Sequence, residues 1–338
     1  MLNIITEKND WEKVLEQLGV FDFYHTYDYH HLSKKDGENP VLLVYTKDNL
    51  TIALPLLIRQ ILNTDYFDAT SVYGYVGPLS NNTTENQDFK EYQSCLNEYF
   101  KSNNIISVFS RLNPYIPQQV EILSGIGEVK SIGNIVNIDL TQGLDQQRSA
   151  YRRDTRSRIN KARRLCTMRK AESTEDIKSF IDIYLETMRK LAADTSYFFN
   201  EDYFFNFLKC NGFKTDILLA IHIESNKVIA GSMFVKTNNI IQYHLSGTKT
   251  EYLNIAPARL LLDEMRLLGS EERYTYFNLG GGYNSKEDAL FNFKSSFSND
   301  IKLFSVWKVI VDENVYGDLK KEANISETDF FPAYRANN

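Results

Sequence analysis

Apolar and polar positions change rhythm along this chain, and the changes mark its elements. Between Pro40 and Arg59 a run rich in Val, Leu and Ile is interrupted only at Lys47-Asp48-Asn49. That pattern predicts strand, turn, strand. Asp216 to Lys236 has the same texture, with Glu224-Ser225-Asn226 at the turn. Two helical stretches precede each hairpin. They are Asp10–Leu18 and Tyr27–Lys35 before the first, Thr174–Leu191 and Glu201–Lys209 before the second.

Further elements follow each hairpin. The first half continues with a helix from Gln87 to Ser102 and a strand from Ile105 to Ser110. The second continues with a strand Ile240–Leu245, a helix Pro257–Leu268 with proline in its first turn, and a strand Thr275–Leu279 that runs into Gly280-Gly281-Gly282. A closing strand, Leu303–Val311, carries Trp307. The repeated order predicts two related α/β halves, residues 1–147 and 148–338, the second opening with a basic connecting helix over 148–170.

Composition narrows the class. A chain of 338 residues, 43% hydrophobic and 24% charged, can bury two cores. No stretch has the length and apolarity of a membrane span, and the N-terminus lacks the regions of a signal peptide. Cys95, Cys166 and Cys210 are few and widely spaced, as in a reducing compartment, so a cytoplasmic protein is expected. No Cys or His pair has metal-ligand spacing, and no metal is expected. A net charge of −6 argues against a general nucleic-acid binder.

Six stretches carry candidate chemistry. In Ser71-Val72-Tyr73-Gly74-Tyr75-Val76-Gly77-Pro78, Tyr73 and Tyr75 share a face if the segment is extended, either as binding residues or as half-buried strand aromatics. His244, within Tyr243-His244-Leu245-Ser246-Gly247-Thr248, is either a general base or a satisfied core histidine, with Gln242 and Ser246 expected on its face. At Asn254-Ile255-Ala256-Pro257-Ala258-Arg259 a helix start offers free N–H groups to a phosphate, unless it is an ordinary cap with a solvated arginine. Gly280 and Gly281 allow close approach to the backbone, or mark a flexible loop. Lys294, among Phe291, Phe293 and Phe297, is a snorkelling surface lysine or a desolvated cation. Last, the basic run from Arg148 to Lys170, with Asp154 its only acid, is an anion-binding or a solvated helix face.

Taken in order, these stretches resemble the Fem-type branch of the GNAT acyltransferases. The matching pieces are Phe23–Tyr29, Ala53–Leu56, Tyr73–Leu79, Arg152–Arg164, Tyr243–Thr248, Phe277–Gly282 and Leu290-Phe291-x-Phe293-Lys294-x-x-Phe297. The resemblance implies tandem GNAT-like domains, each a mixed, mostly antiparallel sheet flanked by helices. It implies an N-acyltransferase that moves an acyl group from acyl-CoA to the amine of a nucleotide-linked amino sugar bound for surface polysaccharide. The alternative it carries is a ligase that transfers an amino acid from aminoacyl-tRNA to a peptidoglycan precursor. The long helical-hairpin arm of some such ligases has no room between Arg148 and Phe198, which favours acyl-CoA. The Gly-rich phosphate loop usual in GNAT enzymes is replaced here by Lys249–Pro257.

Direct attack without an acyl-enzyme is implied. The expected roles are His244 as base and Lys294 beside backbone N–H groups near Ser246 as stabiliser of the oxyanion, or else as a contact to donor phosphate. Tyr73, Tyr75, Arg152, Tyr243 and Ser246 are expected to bind substrate, the acceptor lying between the halves. Ala256, Arg259, Gly280 and Gly281 are expected to hold coenzyme A.

Overall fold

The computed structural model describes residues 1–82 and 87–336. In chain order the elements begin β1 (Leu2–Ile5), α1 (Lys8–Leu18), α2 (Tyr27–Ser33), β2 (Glu38–Lys47), β3 (Leu50–Gln60), β4 (Phe67–Thr70), β5 (Leu79–Ser80), α3 (Lys90–Ser102), β6 (Ile105–Arg111), α4 (Gln119–Leu123) and β7 (Glu128–Asp139). They continue with α5 (Leu144–Ser149), α6 (Arg153–Leu165), β8 (Cys166–Lys170), α7 (Thr174–Lys190), α8 (Glu201–Lys209), β9 (Lys214–His222), β10 (Lys227–Thr237) and β11 (Ile240–Thr248). The last are α9 (Pro257–Glu271), β12 (Tyr276–Gly280), α10 (Ala289–Lys294), β13 (Asp300–Ile310) and α11 (Glu313–Glu322). Among the described residues no helix is long and apolar enough to cross a membrane.

Two compact units emerge, Met1–Ile132 with Leu303–Asn338, and Gly133–Lys302. Residues 303–338 therefore pack with the first unit, where the halves 1–147 and 148–338 had placed them with the second. The reason is pairing: Val306–Ile310 of β13 run antiparallel to β6. In turn the end of β7, from Val136 to Asp139, pairs with β12 of the second unit. Each unit thus takes its closing strand from the sequence that follows the other unit's repeat.

The first unit orders its strands β1-β2-β3-β4-β6-β13, with β5 on β3. The second orders them β7-β12-β11-β10-β9-β8. Pairings are antiparallel except β4 with β6 and β11 with β12. This is the mixed, mostly antiparallel sheet with flanking helices that the family resemblance implies.

Helix positions follow from local chemistry. Trp11, Leu15 and Leu18 form the buried stripe of α1, which ends at Gly19 in the left-handed conformation. Ser173 and Asp176 close a capping box at the start of α7, whose Phe180 and Tyr184 are buried. Each such side chain contributes about 1.5–3 kcal/mol on burial. In the second unit the core packs Phe234, Ile241 and Phe277 against Leu260, Leu261 and Met265 of α9.

Two glycines show how closely α7 approaches the sheet. A Cβ on Gly231 would lie 2.6 Å from the Phe180 ring, and one on Gly247 would lie 2.7 Å from the Ile183 carbonyl oxygen. Only a residue without Cβ lets β10 and β11 sit there.

Candidate active site in the second unit

The parallel ladder between β11 and β12 is short. It joins Ile240 to Tyr276, Ile241 to Phe277 and Gln242 to Asn278, and there it stops. Asn278 Nδ2 donates to Gln242 Oε1 at 2.8 Å, tying the strands at their last pair. Beyond it β11 continues to Thr248 with no ladder pair to β12, whose own next partner lies on β7. Ligands in such sheets bind past the carboxyl ends of parallel strands.

A bulge sits at this divergence. Phe234 faces Tyr243 while its neighbour Met233 faces Leu245, so His244 is the extra residue. The bulge corrects the expectation that Gln242, His244 and Ser246 share one face. Ser246 Oγ lies 2.9 Å from Ser232 Oγ, and Tyr243 stacks on Phe234 at 5.7 Å between centroids. His244 instead lies against α8, its ring 5.0 Å from that of Phe207 and its Nε2 3.4 Å from the Tyr203 hydroxyl. Burial lowers the His244 pKa to about 4, so the imidazole is neutral near pH 7. Tyr243 is shifted upward, chiefly by burial.

Lys294 and the glycine run meet. The lysine is only 9% exposed, and its Nζ donates to the Gly281 carbonyl at 2.7 Å. Gly280, at φ 76°, is where β12 ends; a Cβ there would stand 3.1 Å from Nζ. Burial lowers the lysine pKa to about 8, with Asp288 opposing the shift. Of the two environments open from sequence, the desolvated cation is the one found. Asp288 also caps α10 by accepting from Phe291 N–H at 2.9 Å.

A second group forms where α6 and α9 begin. Arg259 Nη1 donates to Thr155 Oγ1 at 2.9 Å and Ser296 Oγ at 2.7 Å, and its guanidinium lies 4.8 Å from the Phe293 ring centre. Arg152 donates its backbone N–H to Ser296 and its guanidinium to Ser295 Oγ. Ala256, at φ 59°, turns the chain into α9. Nothing in the sequence marks Tyr203, Phe207, Thr155 or Ser296 as partners, since they reach the site from distant stretches.

The basic run is not one helix face. Its end, Cys166–Lys170, is strand β8. Arg148 and Arg163 both reach the buried Asp263, which Arg266 and Tyr151 also engage. Arg169 pairs with Asp176 and Lys170 with Asp216. Part of this charge is therefore answered within the chain, whereas Arg152, Arg153, Arg156, Lys161 and Arg164 have no carboxylate partner among the described residues.

In the first unit, Tyr73 and Tyr75 do not lie on a strand. Gly74 between them has φ 133°, and a Cβ there would strike the Tyr24 ring. Tyr73 is 61% exposed, whereas Tyr75 packs edge-on against Tyr24 and Phe304.

Against this geometry the comparisons are clear about the fold. Residues 149–295 match the family model described as the acetyltransferase (GNAT) domain. The protein is an acyltransferase. No curated protein is similar enough to match. Among solved structures the chain is similar to FemX, with 12% identity, 93% of this chain and 99% of that chain covered, and a TM-score of 0.72. It is similar to a conserved protein of unknown function from Bacteroides thetaiotaomicron, with 11% identity, 91% and 100% covered, and a TM-score of 0.58. A third is the C-terminal domain of a putative lysylphosphatidylglycerol synthetase from Agrobacterium fabrum, with 10% identity, 89% and 92% covered, and a TM-score of 0.56. At such identities these likenesses speak of fold alone.

Proposed function

We propose that the protein transfers an acyl group from acyl-CoA to the amino group of a nucleotide-linked amino sugar for surface polysaccharide. The observation that carries the reading is the stretch of β11 past Gln242, which stays on β10 but no longer pairs with β12. A donor with amide groups along an extended arm can lie there as an added strand, its thioester near His244 and its phosphates toward the start of α9. Ala256 and Arg259 flank that helix start.

The chemistry is direct displacement. The acceptor nitrogen bonds to the thioester carbon, and the carbon–sulfur bond breaks. Backbone N–H groups of the bulged strand, with Lys294 as an added cation, stabilise the oxyanion. The nitrogen becomes acidic as it attacks, so a neutral His244 takes its proton despite a low pKa. Tyr203, 3.4 Å from His244 Nε2, is assigned to relay to the departing thiolate the proton that His244 has taken. Tyr73, Tyr75 and Arg152 are assigned to the acceptor, Tyr243 and Ser246 to substrate, and Gly280 and Gly281 to the donor.

The amino-sugar acceptor draws on the sequence resemblance and on the net charge of −6, with part of the basic run paired internally. A second reading, aminoacyl-tRNA donor and peptidoglycan-precursor acceptor, draws on the whole-chain likeness to FemX. The deciding experiment offers the purified protein acyl-CoAs with nucleotide-linked amino sugars, and separately aminoacyl-tRNA with a precursor. Mass spectrometry of N-acylated sugar supports the first reading; products only from aminoacyl-tRNA overturn it.

A further inference from the structure

One cation in the first unit is held beside aromatic rings with no hydrogen-bond acceptor for its guanidinium among the described residues. The guanidinium of Arg111, the last residue of β6, lies 5.4 Å from the ring centre of Tyr73 and 5.3 Å from that of Phe109. It is half-buried. Among the described residues no carboxylate, carbonyl or hydroxyl accepts from it. An arginine held beside two rings keeps its donor fork.

The surroundings fix this arrangement. The Ser71 N–H donates to the Phe109 carbonyl and the Val76 N–H to the Arg111 carbonyl, so the loop carrying Tyr73 is tied to β6 at both ends. Ser71 Oγ accepts from the Arg111 N–H at 3.2 Å, and the Tyr29 hydroxyl donates to the Tyr73 carbonyl at 3.0 Å. Lys308, opposite Phe109 on β13, adds a second cation on this face, its Nζ 5.4 Å from the Phe331 ring centre. The buried carboxylate of the neighbouring strand, Asp68, is already engaged by Arg59, Arg335 and Tyr334. The positive charge of Arg111 and Lys308 is thus not answered by it.

We propose that Arg111, clasped by Tyr73 and Phe109, is a phosphate anchor on the first unit, and that the exposed ring of Tyr73 carries the planar base of the same nucleotide. The choice of a nucleotide rests on the proposed nucleotide-linked acceptor; the anchor itself rests on the geometry. A bidentate guanidinium–phosphate contact supplies affinity and orientation together. The tyrosine face adds stacking that tolerates any base.

The test uses isothermal titration calorimetry on the intact chain, with coenzyme A saturating so that donor-side nucleotide binding is masked. The probes are uridine diphosphate, inorganic pyrophosphate and uridine. Uridine diphosphate is expected to bind, and Arg111→Ala to weaken it by roughly tenfold or more. Arg111→Lys keeps the charge and stem, guards against misfolding, and is expected to bind several-fold more weakly because an ammonium lacks the fork. Tyr73→Leu is expected to weaken uridine diphosphate and uridine more than pyrophosphate.

Uridine diphosphate binding to Arg111→Ala as to the unaltered chain overturns the proposal, as does an unaltered chain that binds neither phosphate probe. Turnover is not read here. A chain inactive with acyl-CoA that still binds through Arg111 keeps this inference while the proposed function fails. An active enzyme whose nucleotide binding ignores Arg111 does the reverse.

Discussion

Both units run a hairpin into a strand that pairs in parallel with the strand after the next long helix, but they finish that parallel pair differently. In the first, β4 stays on β6 from Phe67 to Thr70, and the chain then keeps to the same neighbour through Ser71 and Val76. Its own backbone fills the edge. In the second, β11 leaves β12 after three pairs, bulges at His244 and runs on to Thr248 with no further ladder pair to β12. One repeat thus yields a braced platform with an arginine on it, and the other a row of backbone amides beside a neutral histidine and a buried lysine. The duplicated framework sets where strands lie; a one-residue bulge and a few glycines decide which copy can grip an extended donor.

That contrast can be broken most sharply at His244. Replacing it with alanine is expected to lower kcat/KM by about 10²–10⁴-fold if it removes the proton. Because burial holds its pKa at about 4, it contributes no inflection to the pH–rate profile between pH 6 and 8. Unchanged kcat/KM across pH removes His244 from the role.

Lys294→Met separates function from stability. Loss of the cation is expected to cost about 2–4 kcal/mol in transition-state stabilisation. If the charged form acts, activity of the unaltered enzyme falls as pH rises through about 8. Stability moves the other way. With its pKa lowered from 10.5 to about 8, the native lysine binds fewer protons than the unfolded chain between those values. Stability therefore rises with pH in that window, and the full penalty for burying the charge applies below it. Lys294→Met is expected to raise stability at pH 7 by on the order of 1–3 kcal/mol, a gain that fades as the pH rises through that window. A destabilised variant that retains activity makes Lys294 a structural residue only.

A smaller effect sharpens the comparison between units. Gly74→Ala and Gly247→Ala each force a Cβ into occupied space, against the Tyr24 ring and the Ile183 carbonyl respectively. Each is expected to cost about 1–3 kcal/mol in urea unfolding. Their kinetic signatures should differ: Gly74→Ala raises KM for the acceptor, and Gly247→Ala raises KM for the donor. The same change in both constants from both variants erases the distinction drawn here.

Much of the framework was legible because hairpins advertise themselves. The apolar runs around Lys47-Asp48-Asn49 and Glu224-Ser225-Asn226 became β2–β3 and β9–β10 nearly as expected. Strand β7 was not legible, since its first third, Glu128-Val129-Lys130-Ser131, is mostly polar and largely exposed. Strand β8 hid inside the basic run because its side chains are mostly exposed. The exchange of closing strands leaves no local mark, because pairing partners are chosen across hundreds of residues.

At the site, residue types were readable and directions were not. The phenylalanines around Lys294 allowed either environment, and only the packing of α10 against β12 selects the buried one. Alternation put Ser246 beside His244, whereas the bulge turns them apart. A bulge is a property of two strands, so one strand's sequence does not reveal it.

The central claim is that the donor occupies the edge of β11 that no longer pairs with β12 beyond Gln242. Hydrogen exchange of peptides spanning Tyr243–Thr248, with and without coenzyme A, tests it most directly. Slower exchange there on adding coenzyme A, with the Ser71–Val76 loop unchanged, is the predicted result. Unchanged exchange over Tyr243–Thr248 while coenzyme A protects some other segment contradicts the account.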